Sequence, residues 1–157
     1  MNRYKPAFTL VEVILVVLFL GIVAVIAIPR ISFSGSSRQK VGGVARKIAT
    51  DLRRTRMLAI SNAATNSTGF TLKMIGSAPY LGYQIIDDSD TPGTVVDSQT
   101  IDSNVRVTCA GTPNFSFGPL GNKRTGGGFI ISISAQGRTY TIKFTVATGM
   151  MTCTKLF

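Results

Sequence analysis

Glu12 is the only glutamate in this chain of 157 residues, and it stands five residues into an apolar run from Phe8 to Ile28. A carboxylate inside a hydrocarbon layer costs at least ~2.5 kcal/mol, so such a group faces protein or water, holds a proton, or pairs with a cation. The chemistry on offer here is ionic docking. The run has 21 residues, close to the ~20 that a helix rising ~1.5 Å per residue needs to cross a ~30 Å layer. Arg3 and Lys5 precede it without an acid, and Pro29 follows it. Proline lacks an amide hydrogen and crowds the preceding turn, so it kinks or ends the helix.

Catalytic chemistry is poorly provided for. There is no histidine, so serine and cysteine triads lack their usual base and the common zinc sites lack their commonest ligand. The chain reads as a non-enzyme with no catalytic residues, no metal site and no cofactor. Its formal charge is +10, from 17 Lys+Arg against 7 Asp+Glu. That excess favours polyanions, anionic headgroups or acidic protein faces as partners and says nothing about fold.

The elements that must carry these residues follow from periodicity. After Pro29, residues 30–37 are rich in Ser and Gly and read as a hinge. From about Arg38 to Asn62, Val41, Val44, Ala45, Ile48, Leu52 and Ala59 recur at three- and four-residue spacing, the buried stripe of an amphipathic helix. Its polar side carries Arg38, Lys40, Arg46, Lys47, Arg53, Arg54 and Arg56 against Asp51 alone. A solvated face and a surface for acidic neighbours both explain this pattern. Beyond Asn62, β-branched and aromatic runs predict strands at Gly69 to Ile75, Leu81 to Ile86, Val95 to Ile101, Val105 to Cys109, Gly128 to Ser134, Thr139 to Ala147 and Met150 to Cys153. Tyr140, Ile142, Phe144 and Val146 alternate with polar residues, as in a half-buried antiparallel strand. The expected fold class is α+β. A long N-terminal helix, membrane-spanning in its first half and amphipathic in its second, packs on an antiparallel β-sheet head spanning 38–157.

The segment Ala7-Phe8-Thr9-Leu10-Val11-Glu12 and the apolar run behind it resemble the class III leader of type IV pilins and type II secretion pseudopilins. The resemblance implies a leader over 1–7, cleavage by a prepilin peptidase between Ala7 and Phe8, and N-methylation of Phe8. The family's usual residue before the cut is glycine, where this chain has Ala7. It further implies that Glu12 pairs with the free N-terminus of a neighbouring subunit. Such a pairing is strong in low dielectric when both charges are desolvated together. Gly21 and Pro29 match the positions that bound the stretch loosened in assembled filaments, within a filament-core helix over 8–29. A plain signal anchor with Glu12 at the headgroup level is the other reading.

A narrower resemblance rests on the run from Ala49 to Asn62, on Gly82-Tyr83, on Phe117-Gly118-Pro119-Leu120-Gly121 and on Thr148-Gly149. These are similar to the domain shared by the H-type minor pseudopilin of type II secretion and the FimT minor pilins. That implies a low-copy subunit that helps initiate or cap a periplasmic filament, single-pass in the inner membrane with its head in the periplasm. Its partners would be other pilins or pseudopilins, the prepilin peptidase, the inner membrane and the inner-membrane assembly platform. The FimT alternative adds DNA for uptake.

Three further features are weighed on their residues. Export puts Cys109 and Cys153 in an oxidising compartment; a bridge closing their loop of about 45 residues would stabilise by roughly 4 kcal/mol, and two free thiols are the alternative. Asp87-Asp88-Ser89-Asp90 gathers three carboxylates beside a turn. Its spacing does not fit a calcium loop with a closing bidentate glutamate, so a solvated turn is expected. Lys123 and Arg124, in the loop from Gly121 to Gly128, and Arg138 form either a solvated hairpin charge or a set of contacts along a DNA backbone.

Overall fold

Thr9 starts the first helix. In the computed structural model, which describes residues 9–27, 34–124, 129–145 and 150–156, the Thr9 hydroxyl accepts from the Glu12 amide at 3.3 Å. Thr9 is thus the N-cap and Glu12 sits at the third helical position, the spacing of a capping box, with its carboxylate at the positive end of the helix dipole. Helix α1 runs Leu10–Ala27, 18 residues, or ~27 Å at ~1.5 Å per residue. Leu10, Ile14, Phe19 and Ile22 on different sides of it are all more than half exposed, so it is apolar all round rather than amphipathic. Among the described residues, no helix is long and apolar enough to cross a membrane. The chain divides into two units, Met1–Gly35 and Ser36–Phe157.

Helix α2 spans Ser34–Ser61. It begins four residues before the expected start, so 34–37 of the expected hinge form its first turn. Gly42 and Gly43 do not interrupt it, and Gly42 serves packing. A Cβ there would lie 3.2 Å from the Tyr140 hydroxyl, so the missing side chain lets the sheet approach the helix. Val41, Ala45, Ile48, Leu52 and Ala59 of the expected stripe are buried and Val44 is partly buried.

Among the described residues eight antiparallel strands follow: β1 (Phe70–Ile75), β2 (Gly82–Asp87), β3 (Thr94–Thr100), β4 (Arg106–Ala110), β5 (Asn114–Phe117), β6 (Phe129–Ala135), β7 (Arg138–Thr145) and β8 (Met150–Leu156). Seven match expected strands to within a few residues at each end. β5 was not expected: its four residues lie between Pro113 and the Gly118-Pro119 turn and are too few to show a period. The expected single sheet is in fact two four-stranded sheets, ordered β3-β2-β1-β5 and β4-β6-β7-β8. The α+β architecture of two helices with antiparallel sheets therefore stands. Ile48 and Leu52 of α2, Leu72 and Ile85 of the first sheet, and Ile131, Ile133 and Ile142 of the second meet in one core. Phe115, Phe117, Phe129 and Phe144 join the two sheets; Phe129 stacks on Phe144 at 5.2 Å and touches Phe115 at 4.3 Å.

Gly69 makes the entry to β1 with φ of +89°, and a Cβ there would fall 2.0 Å from the Phe117 carbonyl oxygen. Only glycine fits. Buried Asn66 fixes the turn before it: its Oδ1 accepts from the Gly69 amide at 2.6 Å while its Nδ2 donates to Asp87 Oδ1 at 2.6 Å.

Candidate functional site

In the N-terminal unit the chemistry narrows to Glu12. Its neighbours Leu10, Val11, Val13 and Ile14 are between 53% and 76% exposed. An apolar surface of this extent belongs against lipid or another chain. Glu12 lies with Val13, Val16 and Val17 along a shallow apolar hollow, a carboxylate beside aliphatic groups on one side of α1. Gly21 lies within α1 with open space where a Cβ would be, so it admits close approach of a second helix. The leader, the Ala7-Phe8 bond, the Phe8 amine and Pro29 lie outside the described residues.

In the head, α2 is tied to the sheets by charges that the sequence places on its solvent side. Asp51 is 2% exposed. Its Oδ2 accepts from the Tyr83 hydroxyl at 2.6 Å, and Lys47 Nζ approaches it at 3.2 Å. Burial first, then the hydrogen bond to Asp51, push the Tyr83 phenol well above its ordinary range, so it keeps its proton and stays a donor. Lys40 pairs with Asp102 at 2.8 Å and Arg54 with Asp97 at 2.6 Å. Lys40 and the Asn104 groups hold Asp102 down at about 2. Gln99, then Arg54, hold Asp97 below its ordinary value. Arg53 and Arg56 donate to the carbonyls of Met151 (3.2 Å) and Gly121 (2.8 Å). Much of the basic face is therefore a set of struts to the chain's own strands and loops. The sequence gives no sign of this, because the partners lie 43 to 98 residues away.

The proposed DNA contacts do not form one cluster. Lys123 bridges to Phe117, sits 5.4 Å from the Phe129 ring, and is lowered in pKa by burial. Arg124 donates from Nη1 to the Thr68 carbonyl and from its amide to Ser116. Arg138 pairs with Ala135 at the far end of β6, whereas Phe129 pairs with Phe144 at the near end. Along a seven-residue strand at ~3.4 Å per residue that is ~20 Å.

The expected disulfide does not fit the strand register. Both cysteines are free. They lie in one transverse row, Cys109–Ile131–Ile142–Cys153, on opposite edge strands of the second sheet. Three strand spacings separate them by ~14 Å, about twice the Cα separation a disulfide spans. The acidic turn is used internally. Asp87 caps Asn66 and the Ser89 amide, Asp88 accepts from Thr71 at 2.6 Å, and Asp90 accepts from Thr94.

One stretch of α2 remains outward-facing and apolar. Met57 and Ile60 are 71% and 48% exposed and form, with Arg53, Arg56, Ser61 and Met151, a groove of about 530 Å³. The sequence reading missed it, although two apolar residues on the polar side of the helix were the available signal.

A helix packed with two small antiparallel sheets in one core, with the Ala49 to Asn62 run forming its C-terminal half, leads to the comparison with known families. The model of the family described as type II transport protein GspH matches residues 44–148, from the second turn of the α2 stripe past the end of β7. The chain belongs to the GspH family. It is a GspH-type minor pseudopilin of type II secretion, from a family of structural subunits that associate with other pseudopilins in the pseudopilus. No curated protein and no solved structure matches it.

Proposed function

We propose that this GspH-type subunit helps initiate or cap the periplasmic pseudopilus, and that it enters the filament through its N-terminal helix after removal of residues 1–7 between Ala7 and Phe8. Freed and N-methylated, Phe8 leads into α1, which lies in the inner membrane, with Gly21 and Pro29 bounding the part that loosens on assembly. The head stands in the periplasm. The prepilin peptidase and the inner-membrane assembly platform act on it before other pseudopilins receive it.

The observation that carries this reading is Glu12 at the start of a helix with exposed apolar sides all round. In lipid the carboxylate needs a cation, and among the described residues no basic side chain shares α1 with it. The amine of a neighbouring subunit's first residue supplies that charge at the same depth, because both sit at the start of equivalent helices. The pair sets the stagger between subunits. A carboxylate at the third helical position is also favoured by the local dipole, so helix start and docking site reinforce each other.

The second reading, a FimT-like minor pilin that binds DNA, needs Lys123, Arg124 and Arg138 on one strip of surface. On that reading Lys123 and Arg124 contact one part of the DNA backbone and Arg138, ~20 Å away along β6, another.

Mass-spectrometric sequencing of the membrane-extracted protein tests the proposal. A product beginning at a methylated Phe8 is expected. A functional protein retaining Met1 to Ala7 overturns it.

A further inference from the structure

The exposed groove on the head includes Met151 of β8, a strand with one edge unpaired among the described residues. β8 is the last strand of its sheet, seven residues long, without proline or a bulge. Lys155 is the one charge along it, so the usual devices that blunt an edge are nearly absent. Met151 of β8 and Met57 and Ile60 of α2 line the groove, and Arg53 and Arg56 stand among them. Among the described residues no carboxylate lines it. Arg53 reaches from α2 to the Met151 carbonyl at 3.2 Å, a tie from helix to strand at the start of β8. Residues 152–156 beyond it are mostly exposed.

We infer that β8 and this groove receive an extended segment of a partner protein whose groove-facing positions, every second residue, carry both apolar and acidic side chains. Main-chain hydrogen bonds to the β8 edge would hold such a segment as an added strand. Because side chains alternate across a strand, one set turns toward the groove and the other toward solvent. Apolar side chains in the inward set cover Met57 and Ile60, whose flexible or branched aliphatic surface accommodates varied shapes. Carboxylates beside them meet the guanidinium groups of Arg53 and Arg56, whose forked donors suit a carboxylate. Charge selects the occupant: a chain of net charge +10 with a basic groove repels a basic segment and attracts an acidic one. A helix in the groove would leave the strand edge unpaired, so the extended form uses more of the surface. The inference rests on head residues alone and does not depend on cleavage at Ala7 or on Glu12.

Fluorescence anisotropy tests it, with the full chain in detergent micelles titrated into a labelled heptapeptide that carries valine and glutamate in turn at its odd positions and threonine at its even ones, so that one face holds both groups. Peptides with lysine in place of glutamate, and two versions N-methylated at alternate amides in opposite phase, serve as comparisons. The acidic peptide should bind at least about tenfold more tightly than the basic one and weaken with salt. One N-methylated version should lose binding while the other keeps it, since alternate amides face the edge. Met57→Glu and Ile60→Glu, both at exposed positions, should each weaken binding by about tenfold without unfolding the head. Equal binding of acidic and basic peptides, loss of binding with neither N-methylated version, or no effect of the two groove substitutions overturns the assignment.

Discussion

The Tyr83 hydroxyl donates to the buried Asp51 carboxylate at 2.6 Å, joining the middle of α2 to β2 through the core. Lys47, one turn earlier, completes the charge balance at 3.2 Å. Tyr83→Phe removes the donor and Asp51→Ala strands a buried hydroxyl; each should destabilise the head by about 1–3 kcal/mol. The double substitution should cost less than the sum, by about 1 kcal/mol. Urea denaturation of the four proteins measures this, and strict additivity would remove the proposed link.

Acid should loosen α2 from the first sheet. Asp102 and Asp97 are depressed in the folded protein by Lys40, Asn104, Gln99 and Arg54. A carboxylate with a lowered folded pKa stabilises fully above its unfolded value near ~3.9 and loses that contribution as pH falls through the folded value. The window for Asp102 therefore runs from about 4 down to about 2. Both side chains are partly exposed, 31% and 24%, so solvent screens the effect. Thermal melts across this range should show a shallower fall in midpoint for Asp102→Asn than for the parent protein.

The two thiols should behave as unlike, unpaired groups. Burial pushes Cys109 up to about 11, and Cys153 is exposed on the edge strand. Under native, neutral conditions a thiol reagent should label Cys153 quickly and the partly buried Cys109 more slowly. Intact mass before and after reduction should be the same. A mass two hydrogens lower before reduction would mean that the sheet rearranges in the protein.

Replacing Glu12 with Ala or Gln should impair incorporation into the pseudopilus. Losing the carboxylate leaves a neighbour's amine uncompensated in lipid, on the order of 3 kcal/mol, or about a hundredfold in association. Crosslinking in the cell envelope and blotting for adducts of this subunit with other pseudopilins tests it. Undiminished incorporation would limit Glu12 to capping its own helix.

Much of the architecture was legible in local pattern. The stripe from Val41 to Ala59 and the alternation of Tyr140, Ile142 and Phe144 are periodic signals that depend only on neighbours in sequence. β5 escaped because four residues between turn formers carry no period. The division into two sheets escaped for a different reason: β5 pairs with β1 rather than with β4 beside it in sequence, and local pattern does not encode such long-range choices. The site divides in the same way. Glu12 stood out as an acid in an apolar run, whereas the Met57 and Ile60 groove needed β8 beside it to exist.

The sequence by itself determined that an acid begins an apolar helix, that a second helix buries one stripe, and that strands follow. Each of these is a statement about solvation and spacing along the chain. Only the tertiary structure decided that Asp51 faces Tyr83, that Lys40 and Arg54 are struts, that Cys109 and Cys153 stand on opposite edges, and that Lys123 and Arg138 are far apart. Those outcomes depend on which strands pair and in what register, and the energy that selects among pairings comes from filling one shared core.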